Sequence, residues 1–344
     1  MAMVTLPHPT GPNADPDTKR ALVARNATSP PDAADPPRRP TRGSARGHRA
    51  RSSRRNPSRG AASPTRSAGT SGRALVALGV LAAALVGAFV IAPGRLAADG
   101  ASGDLADHHH FVEVLHSAFI EYWRSGDRDL SPDLARVVDY WFRYHVAKAV
   151  IAAVLLIVLV ALTVLVWKAF LKAGGLGAVT RAALASAGAL AAMLALLSLA
   201  AVMANIQGAL APFSSLTPML TEGAADQEFA TTLGQVRQRL ADSSPSGART
   251  PPAIDVMIAD FSRYHAVMAV VAVIVAASLL GTSVLLWRRF ARTASSDRRT
   301  RRVVGAFGLL SALLTLGLIV HAAANAATAA DRGPALLNAL KGGW

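Results

Sequence analysis

Two short stretches, "RYHVAKAV" from Arg143 to Val150 and "RYHAVMAV" from Arg263 to Val270, decide the fold. They stand 120 residues apart, and residues 131–205 align with residues 251–325 without a gap. Roughly twenty of the 75 aligned pairs are identical. The informative matches involve rarer residue types, and they are Pro132 with Pro252, Arg143-Tyr144-His145 with Arg263-Tyr264-His265, Trp167 with Trp287, Phe170 with Phe290, Arg181 with Arg301, Gly188 with Gly308, and Asn205 with Asn325. A constant register over this length predicts an internal duplication.

Each repeated unit contains segments that are long and apolar enough to cross a bilayer. The chain has 344 residues, of which 52% are hydrophobic and 17% charged, and its mean hydropathy is +0.33. A membrane-spanning helix needs about 20 apolar residues. Five segments meet that length: Ala74–Ala92, Val146–Trp167, Ala182–Met203, Ala266–Trp287 and Val303–Ala324. Because a segment in lipid has to satisfy its own backbone hydrogen bonds, all five are predicted to be helices.

The predicted fold class is therefore all-α. We expect a polytopic membrane protein with five transmembrane helices, preceded by a disordered N-terminal tail. Four of the helices would form two hairpins of the same orientation, so the bundle would be a tandem duplication with parallel repeats.

Basic residues are concentrated on one predicted side of the membrane. Residues 1–73 carry 14 Lys and Arg against 4 Asp and Glu, a net charge of +10. Residues 168–181 carry three cations and no acid, and residues 288–302 carry seven Arg and one Asp. The other two connecting regions, 93–145 and 205–265, are net acidic. The positive-inside rule then predicts a multi-pass protein of the plasma membrane with a cytoplasmic N-terminus and an outer C-terminus.

The N-terminal region 1–73 is rich in Pro, Arg, Ser and Gly and has few large apolar residues. This composition predicts a disordered tail, and its charge would attract the anionic inner leaflet. Two basic clusters, each next to a long apolar segment, supply most of the remaining net positive charge, so the net charge of +15 does not indicate nucleic-acid binding. The span at 74–92 is longer than the core of a cleavable signal peptide, so we expect a retained signal anchor. The absence of cysteine excludes disulfides, thiolate metal sites and cysteine nucleophiles.

Three regions are predicted to lie outside the membrane on the outer side: a segment with an amphipathic helix at 93–130, a loop at 206–250 and a tail at 326–344. Each repeat also begins with an amphipathic stretch ahead of its first span. The apolar residues at helical spacing are Leu134, Val137, Val138 and Trp141 in the first repeat and Ile254, Met257, Ile258 and Phe261 in the second. We expect two interfacial helices that begin near Pro132 and Pro252, because proline is well tolerated in a first helical turn.

Helix rise predicts a polar cluster near the outer end of each hairpin. His145 lies 22 residues before Trp167, and Asn205 lies 24 residues after Arg181, which correspond to about 33 Å and about 36 Å of helix. His145 and Asn205 should therefore return to the same depth, and the second hairpin repeats the relation. The cluster residues are His145, Asn205, His265, Asn325 and His321, which shares a helix face with Asn325.

Three interpretations of this cluster stay open. It is a hydrogen bond that pins each hairpin, or a set of side chains that anchor to headgroups, or a ligand site between the repeats. In the last case His145 and His265 would hold a haem, a metal ion, a lipid headgroup or a quinone. The neighbouring residues are predicted to be interfacial anchors: Arg143, Tyr144, Arg263 and Tyr264 at the outer boundary, and Trp167 and Trp287 at the inner one.

One further pattern lies in the outer segment. In a helix, His109, Glu113 and His116 would share a face, and two histidines with a carboxylate form an established zinc ligand set. The competing interpretation is an amphipathic helix whose apolar side is buried.

No phosphate-binding glycine loop, Ser/His/Asp constellation or spaced carboxylate pair is present. We therefore expect a non-enzymatic envelope protein, without a cofactor, that binds a lipid, a partner protein or a small ligand at its outer face. A small transporter that uses the interface between the repeats is one alternative. A haem- or quinone-linked redox protein that uses His145 and His265 is another, and zinc or haem would be the cofactors to test.

The first testable prediction concerns topology. Reporter fusions placed after residues 174 and 295 should report the same side of the membrane, because both lie in basic loops and the two hairpins share one orientation. Alkaline phosphatase and fluorescent-protein fusions measure this directly. Opposite sides at the two positions would contradict the parallel duplication.

Overall fold

Ten α-helices and one short 3-10 helix (Gly103–Ala106) make up most of the described part of the chain. The computed structural model describes residues 66–100, 102–175, 177–221, 226–242 and 251–343, and these residues include no strand. Two compact units divide the chain, and all described residues belong to the second, Ala62–Trp344. The first unit and nearly all of the predicted tail lie outside the described residues. Disorder of the tail and its attraction to the inner leaflet therefore stay predictions.

The helices, in chain order, are α1 (Arg66–Ala97), α2 (His108–Ser125), α3 (Pro132–Lys172), α4 (Ala178–Leu210), α5 (Pro212–Ser215), α6 (Thr217–Thr221), α7 (Gln227–Asp242), α8 (Pro252–Arg292), α9 (Arg298–Ala330) and α10 (Arg332–Leu340). Five of them, α1, α3, α4, α8 and α9, are long and apolar enough to cross a membrane. Each of these contains one of the five apolar segments found in the sequence. The prediction of an all-helical protein with five helices of membrane-spanning character is confirmed.

Two hairpins form the centre of the bundle, α3 with α4 and α8 with α9. Both first helices have 41 residues, both second helices have 33, and the corresponding helices begin 120 residues apart. We call the end where each hairpin turns the basic end, since it carries the arginine-rich connections. The opposite end, where the shorter helices gather, is the cap end.

The turn of the second hairpin shows how the basic end is built. Asp297 caps α9 by accepting a hydrogen bond from the backbone N–H of Thr300 at 3.1 Å. Hydrogen bonds from Thr300 hold the pKa of the Asp297 carboxyl below its usual value. The guanidinium of Arg301 donates to the carbonyl of Thr293 at 3.0 Å and lies 4.2 Å from the ring centre of Phe290. Arg301 thus binds the exposed carbonyl groups at the end of α8.

A tryptophan packs on a glycine in each hairpin near the basic end. A Cβ at Gly188 would lie 2.9 Å from the indole of Trp167, and a Cβ at Gly308 would lie 3.4 Å from the indole of Trp287. Neither glycine needs unusual backbone angles. Each glycine leaves space beside its helix, because the missing side chain lets a large aromatic ring contact the helix backbone closely.

A helical cap covers the other end of the bundle. It consists of α2, α5, α6, α7 and α10 together with the first turns of α3 and α8, and it encloses one hydrophobic core. Fully buried members of this core are Phe119, Tyr122, Leu134, Phe229, Ile254 and Leu340. Burial raises the pKa of Tyr122 to about 12.

The two amphipathic stretches that the sequence assigns to interfacial helices are the first turns of α3 and α8. Pro132 and Pro252 stand in the first turn, as predicted from the tolerance of that position. Leu134 and Ile254 are fully buried in the cap core. Their apolar faces are covered by protein, because the connecting segments form helices that pack over them.

The first helix packs against α3 along the spans and is tied to the cap at one end. The ammonium of Lys148 lies 4.8 Å from the ring centre of Phe89 on α1, and it donates to the Tyr144 hydroxyl at 3.3 Å. Beyond the end of α1, the carboxylate of Asp99 pairs with Arg143 at 2.6 Å. Removal of α1 by proteolysis would break the contact between Lys148 and Phe89.

The Trp167–Gly188 contact generates a stability prediction. Gly188→Leu should lower the free energy of unfolding by on the order of 1–3 kcal/mol, because the new side chain overlaps the indole ring. Gly281→Leu is the matched control, since nothing lies within 4 Å of a Cβ at that position and the gain in helix propensity is the same. Thermal unfolding in detergent measures both. Equal changes in the two variants would contradict the packing role of Gly188.

Candidate functional site

A histidine and an asparagine are hydrogen-bonded at the cap end of each hairpin. The Nδ1 atom of His145 lies 2.9 Å from Oδ1 of Asn205, and Nδ1 of His265 lies 2.9 Å from Oδ1 of Asn325. In both hairpins the partners are 60 residues apart in sequence. The structure thus brings together the residues that helix rise places at equal depth.

The orientation of each asparagine fixes the protonation pattern of its histidine. The Nδ2 group of Asn205 donates to the carbonyl of Ala201 at 2.7 Å, and that of Asn325 donates to the carbonyl of His321 at 2.9 Å. The amide oxygen therefore faces the imidazole, and Nδ1 must carry the hydrogen that it donates. In the neutral ring, Nε2 is then a hydrogen-bond acceptor. Both Nε2 atoms are buried and have no hydrogen-bond partner.

His321 has a different environment from the other cluster members. Its side chain is exposed, and its Nε2 lies 3.3 Å from Nδ2 of Asn325. The first hairpin has Ala201 at the matching position, so His321 is an addition to the second hairpin only.

The space around His145 is filled. A Cβ at Gly208 would lie 2.6 Å from the imidazole, so the ring is packed against the backbone of α4. Trp141 contacts the ring edge-on at a centroid distance of 4.9 Å, and its indole N–H donates to Ser215 Oγ at 2.8 Å. This histidine is part of a packed and hydrogen-bonded structure.

The matching space beside His265 is a pocket of about 440 Å³. Phe261 occupies the position of Trp141, and Asp331 occupies that of Ala211. The smaller aromatic ring leaves room where the first hairpin holds an indole. We call this cavity the His265 pocket, and its polar and aromatic lining is Phe261, His265, Thr328, Asp331 and Asn338.

Among the polar groups that line the His265 pocket, Thr328 and Asp331 offer oxygen acceptors, and Asn338 can both donate and accept. The Thr328 hydroxyl donates to the carbonyl of Ala324 at 3.0 Å, which leaves its oxygen lone pairs for other partners. Asp331 contributes a carboxylate that forms no ion pair with any described cation, and no Lys or Arg lines the pocket. A site of this composition favours a ligand that is cationic or donates hydrogen bonds.

The predicted anchors at the cap end differ in what they contact. Arg143 pairs with Asp99 at 2.6 Å and Asp139 at 3.0 Å, so it joins the segment after α1 to α3. Tyr144 stacks on Trp141 with centroids 4.9 Å apart. In the second hairpin, the Arg263 side chain is 66% exposed.

Tyr264 links the two hairpins through its backbone. Its carbonyl accepts a hydrogen bond from Nε2 of Gln207 on α4 at 3.1 Å.

The two tryptophans of the basic end are also in unequal positions. Trp167 is half-buried and contacts Phe307 of the other hairpin edge-on, with centroids 5.4 Å apart. Trp287 is 44% exposed on the surface of the bundle. Only Trp287 thus has the exposure expected of a side chain that reaches the headgroup region.

The zinc ligand set expected on α2 is not assembled. His116 stacks on Phe229 with centroids 3.8 Å apart and hydrogen-bonds the carbonyl of Met219 at 3.2 Å, whereas His109 and Glu113 are exposed. No group of three His, Cys, Asp or Glu side chains among the described residues is placed to hold a metal ion. His116 packs against the cap core because its imidazole stacks on the buried ring of Phe229.

Sequence reasoning did not single out Phe261, Thr328 or Asp331 as parts of a site. The available signal is the difference between residues 120 positions apart, namely Trp141 against Phe261 within the aligned repeats, and Gly208 against Thr328 and Ala211 against Asp331 just beyond them. Comparisons with protein-family models, curated proteins and solved structures gave no match.

The His–Asn pairs generate a coupling prediction. A double-mutant cycle of His145→Ala and Asn205→Ala should give a coupling energy of about 0.6 kcal/mol, the usual size for hydrogen bonds between membrane helices. Reversible unfolding in mixed micelles measures the four free energies. His145→Ala with Asn325→Ala is the control cycle, which should be additive because each residue is bonded within its own hairpin. Equal coupling in both cycles would contradict the assigned pairing.

Proposed function

We propose that this protein is a non-enzymatic, multi-pass membrane protein whose cap binds a small organic cation in the His265 pocket. The observation that carries the proposal is the cavity of about 440 Å³ in the second hairpin, at a place where the first hairpin is filled by Trp141. A volume of this size lies within the range of small-molecule sites.

The chemistry of the lining supports a protonated amine. Asp331 supplies the opposite charge, and the Thr328 hydroxyl supplies an acceptor atom for an N–H group of an ammonium ion. Phe261 supplies an aromatic face, which attracts cations through its quadrupole. An anion would have no cation to pair with among the residues that line the pocket.

We also propose that the basic end is cytoplasmic and that the two hairpins descend from a duplicated ancestor. The orientation is supported by the arginine-rich connections between α8 and α9, and it places the His265 pocket on the outer face of the plasma membrane. The duplication is supported by equal helix lengths at a constant offset of 120 residues and by the matching His–Asn bonds.

The two alternative functions receive less support from the geometry. Transport between the repeats needs a polar site within the spans, but the only charged side chain in the predicted spans, Lys148, lies against Phe89 and Tyr144. A haem or quinone site shared by His145 and His265 is disfavoured because an asparagine of its own hairpin holds each ring.

Ligand binding is testable with matched small probes. We expect n-butylamine to raise the midpoint of thermal unfolding of the detergent-solubilised protein in a concentration-dependent way, because it binds the folded state. The isosteric n-butanol and the anion butyrate should not do so. Asp331→Asn should weaken amine binding at least tenfold, which corresponds to about 1.4 kcal/mol.

Two further variants test the location. Phe261→Trp should abolish amine binding by filling the pocket, as Trp141 does in the first hairpin. Asp242→Asn, which removes an exposed carboxylate at the end of α7, should leave binding unchanged. Stabilisation by butanol equal to that by butylamine, or full binding in Asp331→Asn, would contradict the proposal.

A further inference from the structure

A second cavity lies between the two hairpins in the half of the bundle near the basic end. It has a volume of about 390 Å³, and residues from all four hairpin helices line it. Representative wall residues are Val160 and Trp167 on α3, Leu196 on α4, Leu286 on α8 and Phe307 on α9. We call this cavity the four-helix crevice.

The wall of the crevice offers little for a polar molecule to bind. Its hydroxyl groups include Thr163 and Thr282, which donate to carbonyl groups of their own helices at 2.7 Å and 2.9 Å. The rest of the wall, away from the basic end, is mainly aliphatic and aromatic. An occupant of the crevice must therefore be apolar over most of its length.

Two cations stand at the basic end of this apolar space. Lys168 and Arg289 line the crevice, one from each hairpin, and neither forms an ion pair with a described acidic residue. The two connections at this end contain one acidic residue, Asp297, which accepts a hydrogen bond from the Thr300 backbone. The positive charge at this end is therefore available to a ligand.

The crevice is closed toward the cap. Met203, Met268, Ala272 and Ala322 form a buried cluster between the hairpins on that side. The bond from Gln207 to the carbonyl of Tyr264 joins the hairpins still nearer the cap. An amphiphile that occupies the crevice must therefore have its polar group at the basic end.

We infer that the four-helix crevice holds an acyl chain of an anionic phospholipid from the leaflet at the basic end, with the phosphate bound by Lys168 and Arg289. The apolar wall matches the chain, and the two cations match the charge of the headgroup. A bilayer supplies such a molecule at the right depth, since basic pockets between membrane helices bind anionic headgroups. This site and the His265 pocket are at opposite ends of the hairpins, so failure of one proposal leaves the other standing.

Native mass spectrometry of the detergent-solubilised protein, titrated with phosphatidylglycerol, tests the headgroup contacts. Lys168→Gln with Arg289→Gln should lower the affinity for phosphatidylglycerol at least tenfold. Lys172→Gln with Arg292→Gln is the matched control, because it removes two cations from the same helix ends outside the crevice. The control should bind like the unmodified protein, and phosphatidylcholine should bind at least tenfold more weakly than phosphatidylglycerol.

A second pair of variants tests the position of the chain. Ala192→Phe introduces a ring into the wall of the crevice and should reduce lipid binding severalfold, whereas Leu197→Phe on the 62% exposed surface of α4 should not. Circular dichroism and size-exclusion chromatography verify folding of each variant. Equal affinity in the two charge variants, equal affinity for the two lipids, or unchanged binding in Ala192→Phe would each overturn the inference.

Discussion

Close contact between neighbouring helices is the constraint on which the rest of the structure depends. Within a bilayer, apolar side chains gain nothing by leaving lipid for protein, so helices associate through tight packing and a few interhelical hydrogen bonds. Each hairpin meets this requirement twice. An indole packs on a glycine near the basic end, and an imidazole bonds an amide near the cap end. These two contacts, one near each end of the hairpin, fix how its two helices are aligned along their length.

The cap lies beyond the apolar spans, and its helices are held together in a different way. There the helices assemble by burial of apolar surface, and the core contains large residues from α2, α3, α5, α6, α7, α8 and α10. The first turns of α3 and α8 belong to this core, although they continue without a break into the spans. Because each of these helices is rigid across the boundary, the cap fixes how the two hairpins lie relative to each other. The positions of His265 and of its pocket depend on that arrangement.

Much of the bundle can be predicted from the sequence, because its signals are periodic and local. The apolar segments give the spans, and the rise of a helix gives the depth at which His145 meets Asn205. The cap is harder to predict, because an amphipathic pattern tells which face is apolar but not what covers it. His116 and Arg143 show this limit, since each has a partner outside its own helix, Met219 for the first and Asp99 for the second. The four-helix crevice has no sequence signal at all, since it results from the way two complete hairpins pack.

The order of the cap core along the chain has a consequence for biosynthesis. The core combines residues as far apart as Leu105 and Leu340, and Arg237 donates to the carbonyl of Leu340 at 2.8 Å. Its last component, α10, follows the final span, so it reaches the other helices only after all five membrane helices have been inserted. Until then α6, α7 and α8, against which α10 packs, present uncovered apolar surface. Completion of the cap core therefore comes last along the chain, and a chain that is truncated before α10 carries an exposed hydrophobic surface.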